Sequence, residues 1–431
     1  MRNRPTNLRF LCALAACLAA CWLGRASIAT AQPSHPAQPV AADAAQIARW
    51  IDELGHDSYT VRQAASENLL SAGPLARDAL QLVADSPDPE IRAAAQRLLS
   101  LVEASDFRLR LNAFAADADG KLGVTLPGWD AFQKLVGSDA RDRALFVEMQ
   151  RQEPQLLATA FQPRMPGFTA AWENRLTRLV NEQRGGRNTA APLASSVAMI
   201  FLATVPTLEV SDQVTVLVTQ LMHRPQVYEA MRTGVNRDSL RRLISAWVMH
   251  CPNKSESSLQ QRLNVARVNQ LGETLPLAFA IAARGDDFRN LSIMTRMMAV
   301  LHIGQLGGPE HVNQLEPLLE DRTVCIPGET IAARRDGPGG GVDVQLRDVA
   351  LMALLHMTGQ APDEYGYPHG QRPAGQDWNV GLMYPRSAEQ RELAIAKWRN
   401  WKANKSGPFR ESQRTRAAAA AAAKSAAEKE R

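Results

Sequence analysis

The chain has 431 residues, 45% of them apolar and 22% charged, with a formal net charge of +5. The excess is confined to the ends: residues 1–31 hold four arginines and no acid, residues 402–431 hold eight basic and three acidic side chains, and residues 32–401 are left at −4. A nucleic-acid-binding body needs a basic surface, so this balance argues against one, while the length suits two or three domains or one long repeat array.

Taken from the start, Arg2, Arg4 and Arg9 precede an apolar run at 10–23 that is too short for a comfortable membrane span, and Ala29-Thr30-Ala31 supplies a small-x-small cleavage site. Residues 1–31 therefore read as a secretory signal cut between Ala31 and Gln32, which places the mature chain in the periplasm or cell envelope with no transmembrane span. The apolar run also contains Leu-Ala-Ala-Cys twice, ending at Cys17 and Cys21. This resembles the lipobox of bacterial lipoproteins and offers Cys21 as an alternative lipid anchor. Beyond the signal only Cys251 and Cys325 remain, too few for a disulfide framework. They are expected as separate buried thiols, with pairing left open.

Residues 32–42 are rich in Pro and Ala and read as a flexible leader. Four helical segments follow. Residues 44–55 place Ile47, Trp50, Ile51 and Leu54 on one face, and 59–73 place Val61, Ala64, Ala65 and Leu69 together. Residues 74–85 open with Pro after Gly, and 88–103 open with Asp88 as N-cap and Pro89 in the first turn. An offset of 30 aligns Val61 with Ile91, Arg62 with Arg92, Ala64 and Ala65 with Ala94 and Ala95, and Leu69 with Leu99. Small residues let neighbouring helices approach closely, and stacked pairs share a core that one pair cannot build alone.

The pattern from Asp57 to Gly73, Asp-x3-Val-Arg-x-Ala-Ala-x3-Leu-x3-Gly, resembles the second half of a HEAT or HEAT-like repeat and its turn, as found in exported bacterial proteins of that type. The resemblance covers about residues 44–103. It implies an arginine that ties each repeat to its neighbour: Arg62 and Arg92 occupy that position, with Asp57 and Asp88 as the expected acidic partners.

Residues 107–185 read as a helical extension, with Trp129, Phe132, Leu135 and Val136 at helical spacing and Ser138 or Asp139 as the next cap. Residues 186–320 read as a helical-repeat array, in which 291–308 is apolar nearly all round and should lie inside. Residues 321–402 are a loop-rich helical part: two long loops, 321–344 and 360–385, flank a helix at 345–359, and the first loop has room for a small hairpin. Residues 403–431 form a basic, Ala-rich tail with nothing to pack. The fold expected is all-α, an irregular α-solenoid of HEAT-like helix pairs with two long loops near the C-terminal end.

Chemical motifs are sparse. No nucleotide-binding glycine motif, nucleophile elbow, His-Glu-x-x-His or Cys-x-x-Cys occurs, and no cofactor is expected. The Asp-rich turn at 117–123 lacks the glycine and glutamate positions of a calcium loop. Cys325 with His302, His311 or His356 would be the one nucleophile pair to consider, although His302 and His356 lie in apolar helices. Tyr365, Tyr367, Trp378 and Tyr384 form the candidate partner-binding patch, because aromatic side chains bury much area and keep a polar handle. The alternative is that they cover the packed helices. Trp398 and Trp401, three residues apart, read as the docking face of the last helix. The function expected is a non-enzymatic exported scaffold that binds another extracytoplasmic protein or an envelope polymer. The alternatives are an enzyme with a site assembled from the two loops, and a structural envelope lipoprotein anchored at Cys21.

Overall fold

The structure, a computed structural model, describes residues 43–162, 167–184, 192–333, 342–367 and 385–404. The signal with Cys21, the leader and the tail from residue 405 lie outside these, as do Trp378 and Tyr384. The described residues are mostly helical, with almost no strand, and two compact units divide them at Phe107 and Arg108.

The first unit holds α1 (Ala44–Glu53), α2 (Tyr59–Ala72), α3 (Arg77–Val83) and the first part of α4 (Pro89–Ala116). Asp43 and Gln46 start α1 with a reciprocal capping box. Gly73, at φ 57°, ends α2 in a conformation that side-chain-bearing residues avoid, and Pro74 then begins a short 3-10 turn at Gly73–Ala76 before α3. Ile47, Ile51, Leu54, Ala65, Leu69, Leu80, Ala95, Leu98 and Val102 belong to one apolar cluster. Ala65 and Ala95 are fully enclosed, as the close-approach argument requires, whereas Ala64 faces water. Helix α4 runs well past the expected stop at 103, since no Pro or Gly interrupts it until Gly120.

The second unit continues with α5 (Trp129–Leu135), α6 (Ala140–Gln152), α7 (Pro154–Ala160), α8 (Phe168–Arg184), α9 (Leu193–Leu202), α10 (Asp212–Met222), α11 (Pro225–Arg232), α12 (Arg237–His250), α13 (Glu256–Val268), α14 (Leu275–Ala282), α15 (Ile293–Leu306) and α16 (Val312–Leu315). The end of the array expected at 186–320 is broken at 309–320 into 3-10 turns on either side of α16, because Pro309 and Pro317 withhold amide donors. A small antiparallel pair, β1 (Val324–Ile326) with β2 (Val344–Gln345), joins the two ends of the first long loop, which also holds α17 (Gly328–Ala333). The chain then forms α18 (Leu346–Met357) and α19 (Ala388–Asn404). Helix α15 is an inner helix as expected, packed against α13, α14 and α18.

Two recurring polar devices organise these helices. The first is an arginine four residues after a helix N-cap. Arg62 follows Ser58, Arg92 follows Asp88, Arg143 follows Asp139, Arg296 follows Ser292 and Arg391 follows Ser387. Each guanidinium donates to an earlier backbone carbonyl: Arg62 to His56 at 2.7 Å, Arg92 to Ser86 at 2.6 Å, Arg143 to Phe114 at 3.1 Å, Arg296 to Ala282 at 2.9 Å and Arg391 to Asp343 at 2.6 Å. The first four of these carbonyls lie at or just beyond a helix C-terminus, where unpaired carbonyls and the negative end of the macrodipole attract a cation. Thus Arg62 and Arg92 do couple elements, but not through the acids expected. Arg62 takes the backbone carbonyl of Asp57 and pairs with the carboxylate of Glu90 at 3.6 Å, while Asp88 caps α4 by accepting from the amides of Glu90 and Ile91. The Asp88 carboxylate is drawn to those orphan amides because it stands at the helix start.

The second device is a ladder of cap serines. Ser211, the N-cap of α10, donates to Glu173 on α8 at 3.0 Å. Ser255, the N-cap of α13, donates to Asp212, the first residue of α10, and Ser292, the N-cap of α15, donates to Glu256, the first residue of α13. The hydroxyls of Ser255 and Ser292 hold Asp212 and Glu256 below the ordinary carboxylate range. Along this ladder α8 packs on α10, α10 on α13, α13 on α15 and α15 on α18.

The arginine device should be graded by burial. Arg296→Ala removes a buried guanidinium that meets Asp321 at 2.8 Å and closes the end of α14, and is expected to cost about 3 kcal/mol. Arg62→Ala, at a half-exposed copy, should cost about 1 kcal/mol or less. Urea titration of both variants checks the order, and equal losses would show that burial does not strengthen the contact.

Candidate functional site

Of the aromatic patch expected in the second long loop, the two described residues are buried. Tyr365 is 2% exposed and Tyr367 0%, and both hydroxyls are spent inside: Tyr365 donates to Gln360, and Tyr367 donates to Asp348 at 2.7 Å. Asp348, fully buried at the third position of α18, also accepts from Arg391 at 2.8 and 3.0 Å and from the Gln345 amide at 2.8 Å. Burial and the adjacent carboxylate push the Tyr367 phenol far up. These two tyrosines cover α18 and anchor α19, so they are corrected from partner-binding to core residues. Helix α19 docks as expected, with Trp398 buried and stacked on Trp401 at 5.1 Å, and with Arg399 and Lys402 paired to Glu320 and Glu316.

The Cys–His pairing finds no support in the surroundings of the residues. Cys251 and Cys325 are both free thiols. Burial first, then the carboxylates of Asp348 and Asp321, push Cys325 up to about 12, the reverse of what a nucleophilic thiolate needs. His302 is buried and shares a hydrogen bond with the Thr274 hydroxyl at 2.9 Å, and His311 stacks on Phe279. In the turn at 117–123, Asp117 is committed to Arg143 and to the Leu122 amide. Among the described residues no group of three or more His, Cys, Asp or Glu side chains is placed to hold a metal.

A site of a different kind lies within the second unit. A cleft of about 1120 Å³ opens beside α5, bounded by the loop 125–128 and by the segments that follow α7, α9 and α12. Its walls are largely apolar: Leu126, Ala131, Leu135, Phe161, Val205 and Met249. Gly128 makes the wall possible. It sits at φ 85°, and a Cβ there would lie 2.5 Å from the Phe161 ring, so the close approach of loop and ring admits only glycine. Pro127, Pro206 and Pro252 add surface without amide donors. Charge is unequal at the rim, where exposed Arg110, Lys134 and Lys254 face a single acid, Asp130. Lys254 already pairs with Asp287 at 2.7 Å, whereas Lys134 has no hydrogen bond or ion pair to another described residue. His250 and Cys251 also line the cleft, but burial raises the Cys251 thiol.

Sequence reasoning missed this site because its residues come from segments spread between 110 and 254. The usable signals were Leu-Pro-Gly at 126–128 and a proline a few residues beyond the ends of α9 and α12. Compared with protein-family models, curated proteins and solved structures, the chain matches none of them.

Two outcomes follow from these environments. At pH 8, iodoacetamide should leave both thiols of the native protein unlabelled and label both once urea is added; rapid native labelling of Cys325 would restore the nucleophile reading. Burial lowers His302 from about 6.5 to about 4, so between those values the unfolded chain binds the extra proton. Its contribution to stability is therefore complete above about pH 6.5 and is lost as pH falls towards about 4. His302→Asn should flatten that part of the acid limb of melting temperature against pH, and an unchanged limb would place the acid sensitivity elsewhere.

Proposed function

We propose that the protein is a non-enzymatic, exported scaffold, an irregular α-solenoid of HEAT-like helix pairs that holds a segment of another extracytoplasmic protein in the cleft beside α5. The observation that carries this reading is the cleft itself: a wide, mainly apolar concavity, with no metal-holding group of His, Cys, Asp or Glu among the described residues. Apolar walls with few polar groups suit recognition, while catalysis needs titratable groups in mutual reach. The buried ionisable groups elsewhere are already engaged. Asp142, for example, accepts from Ser239 at 2.5 Å and from Arg242 at 2.7 Å.

The solenoid part of the reading is supported by repetition. Five copies of a cap-x3-arginine contact and three rungs of a serine–carboxylate ladder recur along the chain, as expected where successive helix pairs reuse one packing solution. Export rests on the character of residues 1–31. Among the described residues no helix is long and apolar enough to cross a membrane.

Filling the cleft tests the reading. Ala131, half-buried on the α5 wall, is replaced by Trp, and partner capture from the native extracytoplasmic fraction is compared with that by the unaltered chain. A specific partner should be retained by the unaltered protein and at least about tenfold depleted with Ala131→Trp, at unchanged circular dichroism. Equal capture would remove the cleft from the function.

A further inference from the structure

We propose that the occupant of the cleft is an acidic amphipathic α-helix of the partner protein, laid apolar face down beside α5 with its carboxylates towards Lys134. The inference rests on the binding reading given above and adds the chemistry of what is bound. Three observations select it.

The first is size. At about 1120 Å³ the cleft lies at the upper end of the roughly 300–1,000 Å³ usual for small-molecule pockets, and it is partly open to solvent. The second is backbone chemistry. Pro127, Pro206 and Pro252 have no N–H to offer, and the Pro127 carbonyl is already taken by Gln150 at 2.8 Å. Among the described residues the one sheet is the pair β1 and β2, whose residues do not line the cleft. An extended peptide adds to a sheet edge through main-chain hydrogen bonds, and no such edge is present at this wall. A helix arrives with its own backbone already bonded, so it can lie on an apolar, donor-poor wall without leaving polar groups stranded. The third is charge. Of the rim cations, Lys254 is held by Asp287, whereas the Lys134 ammonium has no partner among the described residues. Carboxylates on the upper face of a docked helix would meet it at the water-exposed edge, where such pairs set register and encounter rate more than affinity.

The test uses the full mature chain and fluorescein-labelled peptides of about five helical turns, roughly 18 residues, built from Leu, Ala and Glu with Leu along one face. Matched probes replace Glu by Lys, or insert two prolines to forbid the helix, and laurate serves as an apolar anion without a backbone. Fluorescence anisotropy, with competition for laurate, should show binding by the Glu helix alone. Lys134→Glu should weaken it at least about fivefold, mainly through slower association, and raising salt from about 0.05 to 0.5 M should reduce that difference. Equal binding of the Lys helix would overturn the charge assignment. Equal binding of the proline-containing peptide would overturn the helix, and binding of laurate without the peptides would make the cleft a small-molecule site. In each of these cases Ala131→Trp should still abolish binding, so that the cleft remains the binding site while this inference fails. Binding that Ala131→Trp leaves untouched, or no binding by any probe to a protein with normal circular dichroism, would sink the cleft reading as well.

Discussion

Most of the described backbone is helical, so the pressing constraint is the disposal of helix ends. Every helix finishes with carbonyls that its own turns cannot pair, and with one two-stranded sheet among the described residues there are many such ends to satisfy. The solution used most often here is an arginine one turn into a later helix. Because it stands four residues after the N-cap, the same short stretch both starts one helix and closes another, as Ser58 with Arg62 and Ser292 with Arg296 do. That coupling fixes where the second helix begins relative to the first. The cap serines then tie helix starts sideways, from α8 through α10 and α13 to α15. Most helices do without this arginine, those around the cleft among them. No arginine stands four residues after the N-caps of α5, α7, α10 or α13. The ends beside the cleft are closed by other means: the Thr204 hydroxyl on Phe201 after α9, and Arg262 on the carbonyls of Val248 and Cys251 after α12.

The legibility of the sequence follows from the same facts. The copies at Arg62 and Arg92 stand in alanine-rich helices offset by a constant 30 residues, so alignment of the chain on itself finds them. Arg143, Arg296 and Arg391 carry out the same contact, yet the residues around them differ and the intervals are irregular, so no fixed period exposes them. The helices themselves were legible from periodicity, and the inner position of α15 from its lack of a polar face. The proline-broken stretch around α16 was the exception. The sequence leaves Tyr365 and Tyr367 between patch and cover because an aromatic ring with a hydroxyl suits a surface patch and a satisfied core equally well. What decides between these is the presence of Asp348 nineteen positions before Tyr367, a relation that no local pattern contains. The cleft was illegible for a similar reason: its walls are the loose ends of several helices, and each of them reads as an ordinary turn.

Function here is a matter of what the surface leaves available. The ionisable groups with the deepest burial hold the helices together: Asp348 is ringed by Tyr367, Arg391 and the Gln345 amide, and Arg296 is spent on Ala282 and Asp321. Groups engaged in this way are poor candidates for moving protons. By contrast, the cleft joins apolar area with one cation that has no described partner, a combination suited to gripping a neighbour.

The ladder of cap serines also bears on how the molecule comes into being. Its rungs join residues 38, 43 and 36 positions apart, so each closes over a short span of chain. Contacts of that kind can form in order, from the N-terminal side onwards, as soon as the next few dozen residues are free to pair. From α8 to α15 each helix start can thus be tied down soon after it is made, which shortens the interval in which uncovered helices can find the wrong partner.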